Sequence, residues 1–103
     1  MVYISKQAKI DLDTIVIGLL EWNKIELTVE EVMHYVDDIV DICYQLGSSI
    51  GHRKATYECH LEYGDFVYLY KRNKQTVWYI VYNINPQGDI LVNKIVNNHM
   101  TTV

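Results

Sequence analysis

Phe66-Val67-Tyr68-Leu69-Tyr70-Lys71, then Arg72-Asn73-Lys74-Gln75, then Thr76-Val77-Trp78-Tyr79-Ile80-Val81-Tyr82-Asn83-Ile84 is the stretch that decides the fold. Two runs rich in β-branched and aromatic residues flank a short polar segment, which reads as two strands joined by a tight turn. In the second run Trp78, Ile80, Tyr82 and Ile84 face one way, with Val77, Tyr79 and Val81 facing the other. Both faces are apolar, so this strand is central and covered, at least in part, on both sides. Toward the C-terminus, Asn85-Pro86-Gln87-Gly88 joins the only proline to a glycine and marks a turn. Ile90 to Val96 then predicts a last strand, ending in the polar Asn97-Asn98-His99. Toward the N-terminus, Tyr63-Gly64-Asp65 turns the chain, Tyr57 to Glu62 alternates as a further strand, and Gly47 to Arg53 is a loop.

The first half reads differently. After the short apolar stretch Val2-Tyr3-Ile4, residues Ala8, Leu12, Ile15, Leu19 and Trp22 recur at helical steps, until Asn23-Lys24 breaks the pattern. Thr28 followed by Glu31 predicts a capping box for a second helix. Its seam is Val29, Val32, Val36, Ile39, Cys43 and Leu46, and Gly47 stands where a helix end favours a left-handed residue. The expectation is an α+β domain over residues 1–103. A helical hairpin, Lys6–Ile25 and Thr28–Leu46, packs on one face of an antiparallel sheet. Its core comprises Leu12, Ile15, Leu19, Val32, Val36, Ile39, Trp78 and Ile80.

The net charge of −4 conceals a split. Residues 1–50 carry three lysines against nine acidic side chains, whereas Arg53, Lys54, Lys71, Arg72, Lys74 and Lys94 outnumber the acids of residues 51–103. Such a chain either turns one basic face to an anionic partner or merely carries a solvated mixture of charges. Cys43 and Cys59 have no zinc or redox spacing, and a signal peptide and an apolar run of about 20 residues are both absent. The expected setting is the cytoplasm, with no metal, no cofactor and no membrane.

The order of elements, a short strand, two helices and an antiparallel meander, resembles the RelE/ParE toxin family. Ser5, Ala8, Asp11, Leu12 and Ile15 match the opening pattern often found on its first helix, and the aromatic hairpin with its basic tip is similar as well. The resemblance covers nearly the whole chain. It implies the toxin of a toxin–antitoxin pair, with a cognate antitoxin as partner. The target would be either mRNA on the ribosome, cut as by RelE-like members, or DNA gyrase, bound without catalysis as by ParE-like members; the remaining alternative is an inert binding domain with this fold. Where many members are strongly basic, this chain is acidic.

RNA cleavage through the 2′-hydroxyl needs a base, an acid and cations for the added phosphate charge. His99, Tyr82 and Arg72 are the catalytic candidates, with Arg53, Lys54, Lys71 and Lys74 as phosphate ligands. Histidine titrates near neutrality, and arginine clamps phosphate with two parallel bonds. Each has a plainer alternative: His99 as a frayed terminal residue, Tyr82 as sheet packing, and the hairpin-tip charges as solvated. One helix layer covers one sheet face. The other, with Tyr68, Tyr70 or Tyr79 as candidates, is expected to receive the antitoxin or to form a homodimer.

Overall fold

Ser5 starts the first helix by taking over its unpaired backbone donors. A computed structural model describes residues 1–21, 28–48 and 51–98. Strand β1 (Val2–Ile4) leads into helix α1 (Lys6–Glu21). Between them, the Ser5 hydroxyl accepts from the Ala8 N–H at 3.1 Å. Thr28 does the same for α2 (Val29–Gln45): its hydroxyl accepts from the Glu31 N–H at 3.1 Å and donates to the Glu31 carboxylate at 3.3 Å. Helix α2 then tightens into a 3₁₀ turn, Leu46–Ser48, with the Leu46 N–H bonded to the Cys43 carbonyl. Gly47 is therefore not the left-handed cap expected of it, because the tightened turn already satisfies the end of the helix. Among the described residues only Gly51 and Gly88 have positive φ. Trp22 and the Asn23-Lys24 break lie outside the described residues.

The remaining elements are a single helical turn, α3 (Glu58–Leu61), and strands β2 (Phe66–Lys71), β3 (Val77–Ile84) and β4 (Ile90–Asn97). The sheet order is β1-β4-β3-β2. Strands β2, β3 and β4 are antiparallel, as expected, but β1 pairs with β4 in parallel, so the sheet is mixed. A parallel pair needs a long crossover, and the chain between β1 and β4 supplies one. The alternation at Tyr57–Glu62 does not make a strand. There the chain coils so that the Tyr57 and His60 rings meet edge to face at 5.4 Å. Only residues 53–55 run beside β2, through the Lys54–Phe66 bridge and the Ala55 N–H to Asp65 carbonyl bond.

Each face of the sheet has its own core. The helices cover Trp78, Ile80 and Tyr82 with Ile15, Val36, Ile39 and Cys43, and Leu12 and Leu19 pack partly buried against them. Val32 is also fully buried. The opposite face is not bare at this end: Ala55, Val67 and Val81 form a smaller core flanked by Tyr63 and Tyr79. No helix among the described residues is long and apolar enough to cross a membrane.

Asp11 joins the layers. Strand β1 stops at Ile4, opposite Val92, so β4 continues beyond its partner. The buried Asp11 carboxylate fills the gap, accepting from the Ile95 N–H at 3.0 Å and from the Lys94 ammonium at 3.0 Å. Between the pairs Tyr82–Val92 and Val81–Lys94 the register shifts by Asn93, whose side-chain amide donates to the Tyr63 carbonyl at 2.8 Å. The extra residue is a bulge, fastened to the segment before β2.

Candidate functional site

A groove runs between α2 and the outer strand β2. Helical spacing puts Tyr35, Asp38, Ile42 and Gln45 along one flank of α2. Across from them, the alternation of β2 turns Phe66, Tyr68 and Tyr70 to the helix side, with Arg72 following in the same phase. Tyr68 and Tyr70 pair with Ile80 and Trp78 and so are not on the opposite face expected of them, where only Tyr79 of the three lies. From Phe66 to Tyr70 the strand extends about 13 Å at roughly 3.3 Å per residue. Midway lies a cleft of about 240 Å³ lined by Ile42, Gln45, Ser48 and Tyr68.

One end of the groove is closed. The Arg72 guanidinium donates to the Asp38 carboxylate at 2.6 Å and to the Tyr70 hydroxyl at 3.3 Å, and lies 4.0 Å from the centre of the Tyr35 ring. Tyr35 in turn accepts from the Trp78 indole N–H at 2.9 Å, with the two rings edge to face. Partial burial works against the Arg72 charge. The bonds to Asp38 and Tyr70 outweigh it and hold the guanidinium pKa above its usual value. This cation fastens the hairpin tip to α2.

The other end is open. There His52 Nδ1 lies 2.8 Å from the Tyr82 hydroxyl. The imidazole also meets the rings of Phe66 and Tyr82 edge to face, and those two rings stack on each other. Tyr82 is 1% exposed, and burial pushes its hydroxyl pKa up, so it stays protonated at neutral pH. His52 itself is exposed. With its proton on Nδ1, His52 donates to Tyr82 and keeps the Nε2 lone pair for an incoming proton, the arrangement of an oriented base.

The cations sort by strand alternation. Directly opposed residues in an antiparallel bridge share a side, so Lys54 lies on the side of Phe66 and His52. Arg53 falls with Ala55 on the other side, and Lys71 falls with Val67 there too. Lys74 is exposed in the β2–β3 turn, where the Asn73 side chain accepts from the Gln75 and Thr76 N–H groups. His99 lies outside the described residues. Of the residues singled out from sequence, the structure brings Tyr82 and Lys54 to one end of the groove and Arg72 to the other. It turns Arg53 and Lys71 away from both.

His52 was not among the residues singled out. Its partner is distant in sequence, and no local spacing announces the pair. His60 is 1% exposed between the rings of Tyr57 and Tyr79, and its Nε2 has no hydrogen-bond partner among the described residues. Burial pushes its pKa down, keeping it neutral. Burial pushes the Cys43 thiol up to about 12, which makes it unreactive at neutral pH. No group of three metal-ligating side chains occurs among the described residues. No family model, no curated protein and no solved structure matches this chain.

Proposed function

We propose that this chain is a toxin of the RelE/ParE type, restrained by a cognate antitoxin, and that it cleaves mRNA on the ribosome at the open end of the groove. The observation that carries the catalytic part is the 2.8 Å contact between His52 and Tyr82, with Lys54 on the same side of the sheet. The toxin part rests on the resemblance. In support, the pattern Ser5, Ala8, Asp11 has a structural use at each position: a helix cap, a fully buried contact and the tie to β4.

In this reaction His52 Nε2 takes the proton of a ribose 2′-hydroxyl while Tyr82 holds the Nδ1 side. The 2′-oxygen forms a bond to the adjacent phosphorus, the bond from phosphorus to the 5′-oxygen breaks, and water protonates the leaving oxygen. Lys54 offsets the extra charge on the phosphoryl oxygens. The products are a 2′,3′-cyclic phosphate and a 5′-hydroxyl. With a net charge of −4 the chain has few clustered cations to bind RNA unaided, so the ribosome positions the message and the setting is the cytoplasm.

A second reading, a ParE-like protein that binds gyrase without catalysis, is favoured by the engagement of Arg72 in an ion pair with Asp38. Induced expression separates the two. Growth arrest with new RNA ends bearing cyclic phosphate is expected. Arrest with intact mRNA and broken DNA would establish the gyrase reading instead, and unimpaired growth would refute both.

A further inference from the structure

The cleft in the middle of the groove carries a recognition chemistry of its own, and this inference rests on the ribonuclease reading above. Its walls are Ile42 and Gln45 from the end of α2, Ser48 from the 3₁₀ turn that follows, and Tyr68 from β2. Tyr68 and Gln45 are both exposed. Among the described residues no lysine, arginine or carboxylate lines the cleft, so these walls do not suit a phosphate or a free cation. An exposed tyrosine ring facing an isoleucine across about 240 Å³ suits one flat heterocycle.

The lining also discriminates among bases. Guanine is commonly held by arginine or lysine, and the amino group of cytosine by a carboxylate, and the described lining residues include neither. A glutamine amide presents one donor and one acceptor side by side, which matches the N7 acceptor and N6 donor of adenine. Tyr68 is followed on the same side of the sheet by Phe66, then by His52 and Lys54. A base in the cleft thus has its sugar and phosphate leading toward the proton carrier and the cation.

We propose that this cleft takes a single unpaired adenine, stacked on Tyr68 and read by the Gln45 amide, and so sets where the RNA is cut. The probes are 5′-AMP, 5′-GMP, 5′-CMP and 5′-UMP, each titrated into the folded chain while the Gln45 amide and Tyr68 ring signals are followed by NMR. AMP should bind tighter than UMP by about tenfold, and Gln45→Leu should erase that preference. Tyr68→Ala should weaken all four by about tenfold. Thermal melts confirm that both variants are folded. Equal responses to the four nucleotides, or shifts confined to other residues, would overturn the proposal. RNA-end maps separate this failure from that of the ribonuclease reading. Cleavage that needs His52 but shows no adenine beside the cut removes the adenine cleft alone. AMP binding without any cleavage supports the cleft and removes the nuclease.

Discussion

The two ends of the groove use similar residue types for opposite purposes. At the Arg72 end, a guanidinium, a carboxylate, two tyrosines and an indole satisfy one another, and the result is a joint between helix and hairpin. At the His52 end, one nitrogen of an exposed imidazole is held by a buried hydroxyl, and the other has no partner seen among the described residues. A polar group whose bonds are all made within the fold stabilises it. One held in place with capacity to spare is available for chemistry. The difference separates Arg72, which is bonded to Asp38 and Tyr70, from the end of the groove proposed to react.

The sharpest way to break this comparison is at Trp78, which is 2% exposed at the closed end. Trp78→Ala should destabilise the fold by about 3–5 kcal/mol, through lost burial and the cavity left behind. His52→Ala should cost less than about 1 kcal/mol, since it removes one hydrogen bond near the surface. Urea titrations of both variants measure the contrast, and equal losses would mean that the ends are not specialised.

Arg72→Ala is expected to remove about 1–2 kcal/mol, combining a charge-assisted bond with the contact over Tyr35. The guanidinium is partly exposed, which keeps the figure modest. A denaturation midpoint unchanged from the wild type would show that the joint is ornamental.

Acid should act on the other face of the sheet first. His60 is held neutral in the fold by burial, while the unfolded chain takes up its proton near the ordinary value of 6.5. Its contribution to stability is therefore full above pH 6.5 and is lost as the pH falls through that value toward the lower folded pKa. Hydrogen-exchange protection factors at Tyr79 and Val81 should fall as the pH drops below about 6.5, and His60→Phe should flatten that response. An identical pH profile in the variant would assign the effect to another group.

The smallest expected effect is the coupling between Arg72 and Asp38. A double-mutant cycle with alanine at each should give about 0.5–1 kcal/mol, because Asp38 is half exposed to solvent. Coupling near zero would leave the aromatic contacts as the whole of the joint.

The fold was legible where periodicity was strong. Helix α2, the β2–β3 hairpin and β4 follow from apolar spacing and turn residues within a residue or two, as does the start of α1, whose expected end at Ile25 lies outside the described residues. Tyr57–Glu62 misled because a six-residue stretch satisfies alternation and a single helical turn almost equally well. The parallel pairing of β1 has no signal in three residues, since it depends on a partner that arrives at residue 90. The site was legible only in part. Tyr82 and Lys54 were identifiable by residue type, but His52 meets Tyr82 through the tertiary fold alone. Arg72 was visible as a cation, whereas its engagement with Asp38 required the packing of α2 on the hairpin.

The central claim, that the His52 end reacts and the Arg72 end only holds, is tested most directly by mapping mRNA ends after expression of His52→Ala and Arg72→Ala at matched folded levels. Loss of cleavage by 10²-fold or more is expected in His52→Ala, as for removal of a positioned proton carrier, with cleavage retained in Arg72→Ala. The opposite pattern, cleavage at wild-type sites without His52 and none without Arg72, would contradict it.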